Sequence, residues 1–333
     1  MFTLSNNWNA TIGNDTIYED PGTNLKLAGT FNYTINAIAT SKRIIKATGT
    51  DWQGGNSTIV AQAEYISNDS ASLTRYALLA KSYIGFGGNS SISTSPLNSH
   101  NADARTNGYI SQGGSSSVDG TLFATGTISG SGYYLNQPGY SEIAFPTEDQ
   151  LVDFETSWKA AALLGTTYNP NSFSNNQTIA APAYINGNIT LTGNKTLTIT
   201  GSGVVYVNGS VDIKAQTRIT NSATFIIRDT FTCNGQAYYT IPAGALTPSS
   251  GVFTATMISL NGDMQLNGGG DATGIVYCAR GNMRVNGGAI YRGSLIAGGY
   301  IETVGTYDQI YPGTMSSNIN FPIPLRLTKF AEP

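Results

Sequence analysis

Charge is scarce in this chain. Only 11% of its 333 residues are Asp, Glu, Lys or Arg, against the usual quarter of a globular sequence. The 17 basic and 20 acidic side chains leave a formal charge of −3 and a pI near 5.2. A partner held through phosphate neutralisation needs a basic surface, so nucleic acid is not expected; Lys42, Arg43 and Lys46 form the one basic cluster. Histidine is nearly absent. With His100 alone, a paired-histidine metal site within one chain is excluded, and a nucleophilic triad would have to use this one residue in a polar loop. Clustered Asp and Asn could hold calcium, but no Asp-x-Asp-x-Asp-Gly run occurs. The Gly-Gly pairs lack the Lys-Ser/Thr of a phosphate loop. No cofactor and no metal are expected. Two cysteines, Cys233 and Cys278, cannot make a disulfide framework; they either pair or sit as two small half-buried side chains. No run approaches the roughly 18 apolar residues of a membrane span, and no signal peptide is visible. The opening Met1-Phe2-Thr3-Leu4 reads as the start of an excised soluble piece, its anchor or leader removed.

Glycine (39), tyrosine (19) and abundant Asn, Ser and Thr fill the space that charge leaves. Over residues 1–66, short alternating runs are separated by polar turns: Phe31 to Ile38, Arg43 to Thr48 and Thr58 to Tyr65. Alternation with period two predicts an antiparallel meander with one buried face.

Residues 67–145 and 166–310 carry an irregular internal repeat, together the expected solenoid of 67–310. Gly120-Thr-Leu-Phe-Ala-Thr-Gly-Thr-Ile-Ser-Gly-Ser-Gly132 matches Gly293-Ser-Leu-Ile-Ala-Gly-Gly-Tyr-Ile-Glu-Thr-Val-Gly305 at its Gly, Leu, Ala, Gly, Ile and Gly positions, and residues 274–287 are a looser copy. A second form ends in Asn-Gly: Tyr184-Ile-Asn-Gly187, Tyr206-Val-Asn-Gly209 and Leu260-Asn-Gly262. Such repeats predict a β-solenoid, each coil a few short strands, with inward Ile, Leu and Val stacking on the next coil. Asn-Gly is expected to supply left-handed corners. A sandwich or barrel of short strands is the competing architecture. Residues 147–164 break the pattern. Thr147-Glu-Asp-Gln150 resembles a capping box, Leu151, Phe154, Trp158 and Ala162 fall on one helical face, and Gly165 is expected as a C-terminal stop. The fold expected is all-β: a β-solenoid with a small antiparallel sheet, one helix, and a return strand within 311–333.

Tyr33 to Gly49, followed by Ile59-Val-Ala-Gln-Ala-Glu64, resembles the globular part of PilX-type minor pilins of type IV pili. The Asn-Gly coils, with Gly274-Ile-Val-Tyr277 and Gly293-Ser-Leu-Ile-Ala297, resemble the solenoid that some of these proteins carry inserted in the pilin sheet. The resemblance implies an extracellular, cell-surface or pilus location, a hydrophobic N-terminal helix preceding the sheet, and other pilins as partners through the N-terminal sheet. The solenoid is also similar to tapirins, β-helical cellulose-binding proteins, which implies a neutral polysaccharide such as cellulose as ligand.

An enzyme is the rival reading. A glycosidase needs two carboxylates about 5–9.5 Å apart. Here acids are sparse, and Glu148, Asp149, Asp153 and Glu155 lie on the predicted helix, where they favour its N-terminal dipole. Asp263 with Arg280, Arg284 and Arg292 is the one grouping that could mimic a lyase site. Aromatic side chains are the better signal. Tyr133, Tyr134 and Tyr140 fall in a break between coils, and Tyr238 and Tyr239 begin an insertion over 236–256. Loops leaving a rigid scaffold often bind, and a tyrosine ring suits a sugar face. Tyr133, Tyr134, Tyr238 and Tyr239 are therefore the expected ligand-binding residues of a non-enzymatic adhesin. Tyr184 and Tyr206, at equal repeat positions, are expected to form a structural ladder.

Overall fold

The computed structural model describes residues 12–19, 26–39, 42–51, 53–65, 73, 75–94, 100–170, 173, 175–201, 203–240, 252–253, 256–267, 272–288, 290–312, 316–317 and 325–331. Contacts divide the chain into two units, residues 1–68 with 322–333 and residues 69–321.

In the first unit, Ile12–Glu19, Lys26–Ala39, Lys42–Asp51 and Asn56–Tyr65 form an antiparallel meander. Leu325–Ala331 adds a fifth, edge strand against Asn56–Tyr65. Threonines stand opposite one another where a cross-strand pair stabilises such a sheet: the Thr48 and Thr58 hydroxyls lie 3.1 Å apart. Of the basic cluster, Lys46 is exposed; the side chains of Lys42 and Arg43 lie outside the described ones.

The second unit is a three-faced parallel β-solenoid. One coil shows the plan: Gln177–Ala180 lies on face 1, Ala183–Ile185 on face 2 and Ile189–Leu191 on face 3. Each strand pairs in parallel with the strand one coil later. Faces 1 and 2 join into a closed circuit because long strands, such as Ala272–Cys278 and Ile290–Ala297, bend round the corner and pair on both faces. Inward side chains build the core column by column. On face 3, Ile189, Val211, Phe231, Met264, Met283, Ile301, Ile84 and Ile110 stack through the axis, each at most 1% exposed.

Coil order in space is not chain order. The coils of 177–311 stack in sequence, and the coil at 290–311 then meets the coil at 78–94: Leu295 opposes Leu78, Tyr300 opposes Tyr83 and Asp308 opposes Ser91. The stack continues through 104–118 to the outermost strand, Tyr133–Pro138. The copies 120–132 and 293–305 are equivalent face 2–corner–face 3 segments of different coils.

The corners meet the expectation in part. Of the Asn-Gly glycines, Gly187, Gly235 and Gly287 have positive φ of 134°, 72° and 90°, but Gly209 and Gly262 do not. They are needed for closeness. A Cβ on Gly262 would lie 2.7 Å from the Asp229 carbonyl carbon and the Thr230 nitrogen of the coil below. Coils one strand spacing apart, about 4.8 Å, leave no room for it.

Candidate functional site

Face 2 is covered. Helix α1 (Glu148–Leu163) starts at a capping box: the Gln150 N–H donates to Thr147 Oγ1 at 3.4 Å and the Thr147 N–H to Gln150 Oε1 at 2.7 Å. Leu151, Phe154 and Ala162 are buried, and Trp158 stacks on Phe154 at 5.1 Å. Gly165 follows the helix without a left-handed φ; it is glycine because a Cβ would strike the Pro182 carbonyl of the next coil. The helix lies on an outward stripe of face 2 that includes Tyr184 and Tyr206, whose rings stack in parallel at 5.9 Å. The Tyr206 hydroxyl donates to Glu155 at 2.8 Å, and Arg280 grips Glu148 at 2.6–2.9 Å. Upstream, the segment leading to the helix is pinned by buried Arg105, which donates to the Ser141 carbonyl at 2.6 Å and lies 4.8 Å from the Tyr140 ring centroid. A face buried on both sides offers no ligand surface.

Faces 1 and 3 carry their outward side chains in register. On face 1, Thr178, Thr198, Thr220 and Thr240 occupy one column. Thr178 is exposed, Thr198 and Thr220 are half-buried, and the side chain of Thr240 lies outside the described ones. On face 3, Thr190, Asp212, Thr232, Gln265, Arg284, Glu302, Gly85 and Ser111 form the central column. Its charges pair locally: Arg284 with Glu302 at 3.3 Å, and Asp212 with Lys214 at 2.6 Å. A second face 3 column holds Tyr300, Tyr83 and Tyr109 on consecutive coils.

The four tyrosines expected to bind ligand are not brought together. Tyr238 and Tyr239 are neighbours on a strand, Tyr238–Thr240, so they point to opposite sides. Tyr238 is half-buried on the outer side with the Arg218 guanidinium 5.5 Å from its ring centroid. Tyr239 points inward, is 1% exposed, and its hydroxyl accepts from Asn221 Nδ2 at 2.9 Å. That corrects the expectation for Tyr239: it is a core side chain with no face free to stack on a sugar. Tyr133 does not lie in a break between coils. It opens the outermost strand, is half-buried, and its hydroxyl accepts from Asn136 at 2.9 Å. The Tyr134 backbone belongs to that strand, but its side chain lies outside the described ones, as do residues 241–251 of the insertion. Tyr140 packs on Phe123 at 4.9 Å.

The Asp and Arg groups that could mimic a lyase site have other partners. Arg280 pairs with Glu148 and Arg284 with Glu302, while Asp263 accepts from the Asn282 N–H at 2.7 Å. His100 lies 2.5 Å from Asp119, which also accepts from the Thr94 hydroxyl at 2.7 Å. Both cysteines are buried and free; burial pushes each thiol up to about 12. Among the described residues, no three His, Cys, Asp or Glu side chains are placed to hold a metal.

The sequence reading missed Tyr83, Tyr109 and Tyr300. A signal existed: Ser82-Tyr-Ile-Gly85, Gly108-Tyr-Ile-Ser111 and Gly299-Tyr-Ile-Glu302 share a Tyr-Ile pair, and in each the Ile points inward, which puts the Tyr outside.

No family model and no curated protein matches this chain. Among solved structures it is similar to the competence-associated pilin ComZ from Thermus thermophilus, at 13% identity over 97% of this chain and 87% of that one, with a TM-score of 0.41. It is also similar to an ice-binding protein from the Antarctic ascomycete Antarctomyces psychrotrophicus (14% identity, 76% and 99% covered, TM-score 0.31). A third is the ice-binding protein LeIBP from an Arctic yeast (11%, 77% and 94%, TM-score 0.34). Likeness at this level carries nothing about ligand.

Proposed function

We propose that this chain is an extracellular, pilus-associated attachment protein that holds a neutral polysaccharide surface on its solenoid without turning it over. The observation that carries this is the contrast between faces. Face 2 is sealed by α1 and the segment before it, whereas faces 1 and 3 present rows of hydroxyl, amide and aromatic groups repeated coil by coil, with the charges of the face 3 row paired. A repeating ligand meets a repeating surface at many weak points, and a surface of paired charges favours an uncharged ligand over an ionic one. Pilus association is supported by the pilin-like run of residues 33–64. The test is retention of the whole chain on microcrystalline cellulose and on chitin at low and high salt, with soluble sugar products assayed alongside. Salt-insensitive retention without product is expected. Absence of retention on either overturns the attachment reading, and steady product release overturns the non-catalytic one. For the pilus, co-sedimentation with sheared filaments is expected, and recovery only in the unbound fraction would overturn that part.

A second reading has its own observation, the face 1 threonine column. Hydroxyls repeated at about the 4.8 Å strand spacing can order a water layer against an ice face. Thermal hysteresis abolished by Thr198→Lys would support it; its absence in the unaltered chain would dismiss it.

A further inference from the structure

We propose that Tyr300, Tyr83 and Tyr109 form a stacking strip on face 3 that grips a single chain of neutral pyranose sugars, a site that deepens the attachment reading and rests on it. The strip lies where the two coil series meet, on three consecutive coils in register. The Tyr83 and Tyr109 ring centroids are 4.5 Å apart at 33°, and those of Tyr83 and Tyr300 are 6.4 Å apart at 57°. This is not a buried ladder like Tyr184 and Tyr206, which are 8% and 0% exposed under α1. Tyr109 is 51% exposed and Tyr83 and Tyr300 are half-buried.

Local sequence sets the posture of the rings. Gly85 leaves a gap in the central column between Glu302 and Ser111, and Tyr83 leans into it: a Cβ at Gly85 would strike the Tyr83 phenol. Burial raises the pKa of that phenol above its ordinary value, so it remains a neutral hydrogen-bonding group.

The chemistry matches one ligand class. Tyr83 turns one ring face to Tyr109 at 4.5 Å, so the half-exposed Tyr109 ring carries the aromatic surface that suits the apolar C–H face of a pyranose. Ser111, Ser129 and the Glu302 carboxylate stand in the next column, two residues along each strand, where sugar hydroxyls would find acceptors and donors. Arg284 pairs with Glu302 in the adjoining column, so the carboxylate nearest the strip is compensated, which favours a neutral glycan over one that needs a bare charge. Two coil intervals span about 10 Å, the length of a disaccharide unit.

The experiment is retention of the whole chain on microcrystalline cellulose and on chitin, with folding of every variant checked by circular dichroism. Tyr109→Ala, at the most exposed ring, is expected to weaken retention at least tenfold. Tyr109→Phe, which keeps the ring, is expected to stay within twofold. Gly85→Ala, which displaces the Tyr83 ring without removing it, is expected to weaken retention to an intermediate degree. Full retention of Tyr109→Ala and Gly85→Ala overturns the strip and leaves the attachment reading standing. No retention of the unaltered chain overturns both.

Discussion

Replacing Tyr239 by Phe removes one oxygen from the solenoid core, and its effect can be worked from three hydrogen bonds. Asn221 is 0% exposed. Its Nδ2 donates to the Ala223 carbonyl at 2.8 Å and to the Tyr239 hydroxyl at 2.9 Å, and its Oδ1 accepts from the Ala223 N–H at 3.0 Å. Tyr239→Phe keeps the ring and the packing, so no cavity forms. It strands one amide N–H where no water reaches. An orphaned buried donor costs about 1–3 kcal/mol, and at roughly 2–4 °C per kcal/mol for a unit of 150–250 residues the melting temperature should fall by about 2–12 °C. Amide exchange at residues 219–227 and 239 should quicken by about 5- to 150-fold, while more distant coils change less, because solenoid coils couple mainly to their neighbours. Retention on polysaccharide should not change at a temperature where the variant is folded. A variant with unaltered exchange would show that Tyr239 does not satisfy Asn221. A variant that keeps its stability but loses polysaccharide retention would show that the Tyr239 hydroxyl reaches a ligand after all.

Gly281→Ala places a Cβ 2.5 Å from the Gly262 carbonyl oxygen, backbone that cannot move aside, and should destabilise by about 1–3 kcal/mol in thermal melts; Gly288→Ala, with nothing within 4 Å and no left-handed φ, should stay within about 0.5 kcal/mol. Cys233 and Cys278 have thiols pushed from 9.0 to about 12 by burial, so the unfolded thiols ionise first: their contribution is whole below about pH 9 and is lost as pH rises from there towards 12. Cys278→Ala should therefore flatten the alkaline fall in stability, and a thiol reagent should titrate neither cysteine in the native chain at pH 8 and both in denaturant. Gln309→Leu should destabilise by about 1–3 kcal/mol, with exchange quickening chiefly in residues 77–94 and 290–311; protection unchanged in those residues would refute it.

How much was legible depended on whether a feature is local. The α1 boundaries follow from Thr147 and Gln150, three residues apart, and its buried side from Leu151, Phe154 and Ala162; both need only helical geometry. Tyr184 and Tyr206 share a repeat offset and stack. What failed needed the third dimension. Backbone twist accounts for Gly187, Gly235 and Gly287, but at Gly209 and Gly262 the constraint comes from the neighbouring coil, which a single coil's sequence does not contain. Tyr238 and Tyr239 read as a pair because they are adjacent, although adjacency on a strand puts them on opposite sides. The strip tyrosines were passed over because each stands alone in sequence; only the stacking of residue 300 on residue 83, more than two hundred positions apart, makes them a set. Strand alternation with the shared Tyr-Ile pair would have found their outward direction, not their proximity.

The order of the coils poses a harder question, since aliphatic columns alone do not choose it. Any coil with Ile or Leu inward could stack on any other, so hydrophobic burial favours a stack without fixing which coil meets which. At the joint between the two series, polar groups supply the missing discrimination. Gln309, 0% exposed, donates to the Ala77 and Gly293 carbonyls at 2.9 and 2.8 Å and accepts from the Tyr307 hydroxyl at 3.0 Å. The Ser294 hydroxyl donates to the Tyr76 carbonyl at 2.7 Å, and the Ser90 and Thr303 hydroxyls lie 2.9 Å apart. Shifting the upper series by one coil would break each of these hydrogen bonds, at about 1–3 kcal/mol for each group left unpaired. Buried polar pairs fix register in this way where apolar packing is degenerate. The same joint sets Tyr300 beside Tyr83, so the hydrogen bonds that choose the order of coils inside the stack also assemble the aromatic strip on its surface.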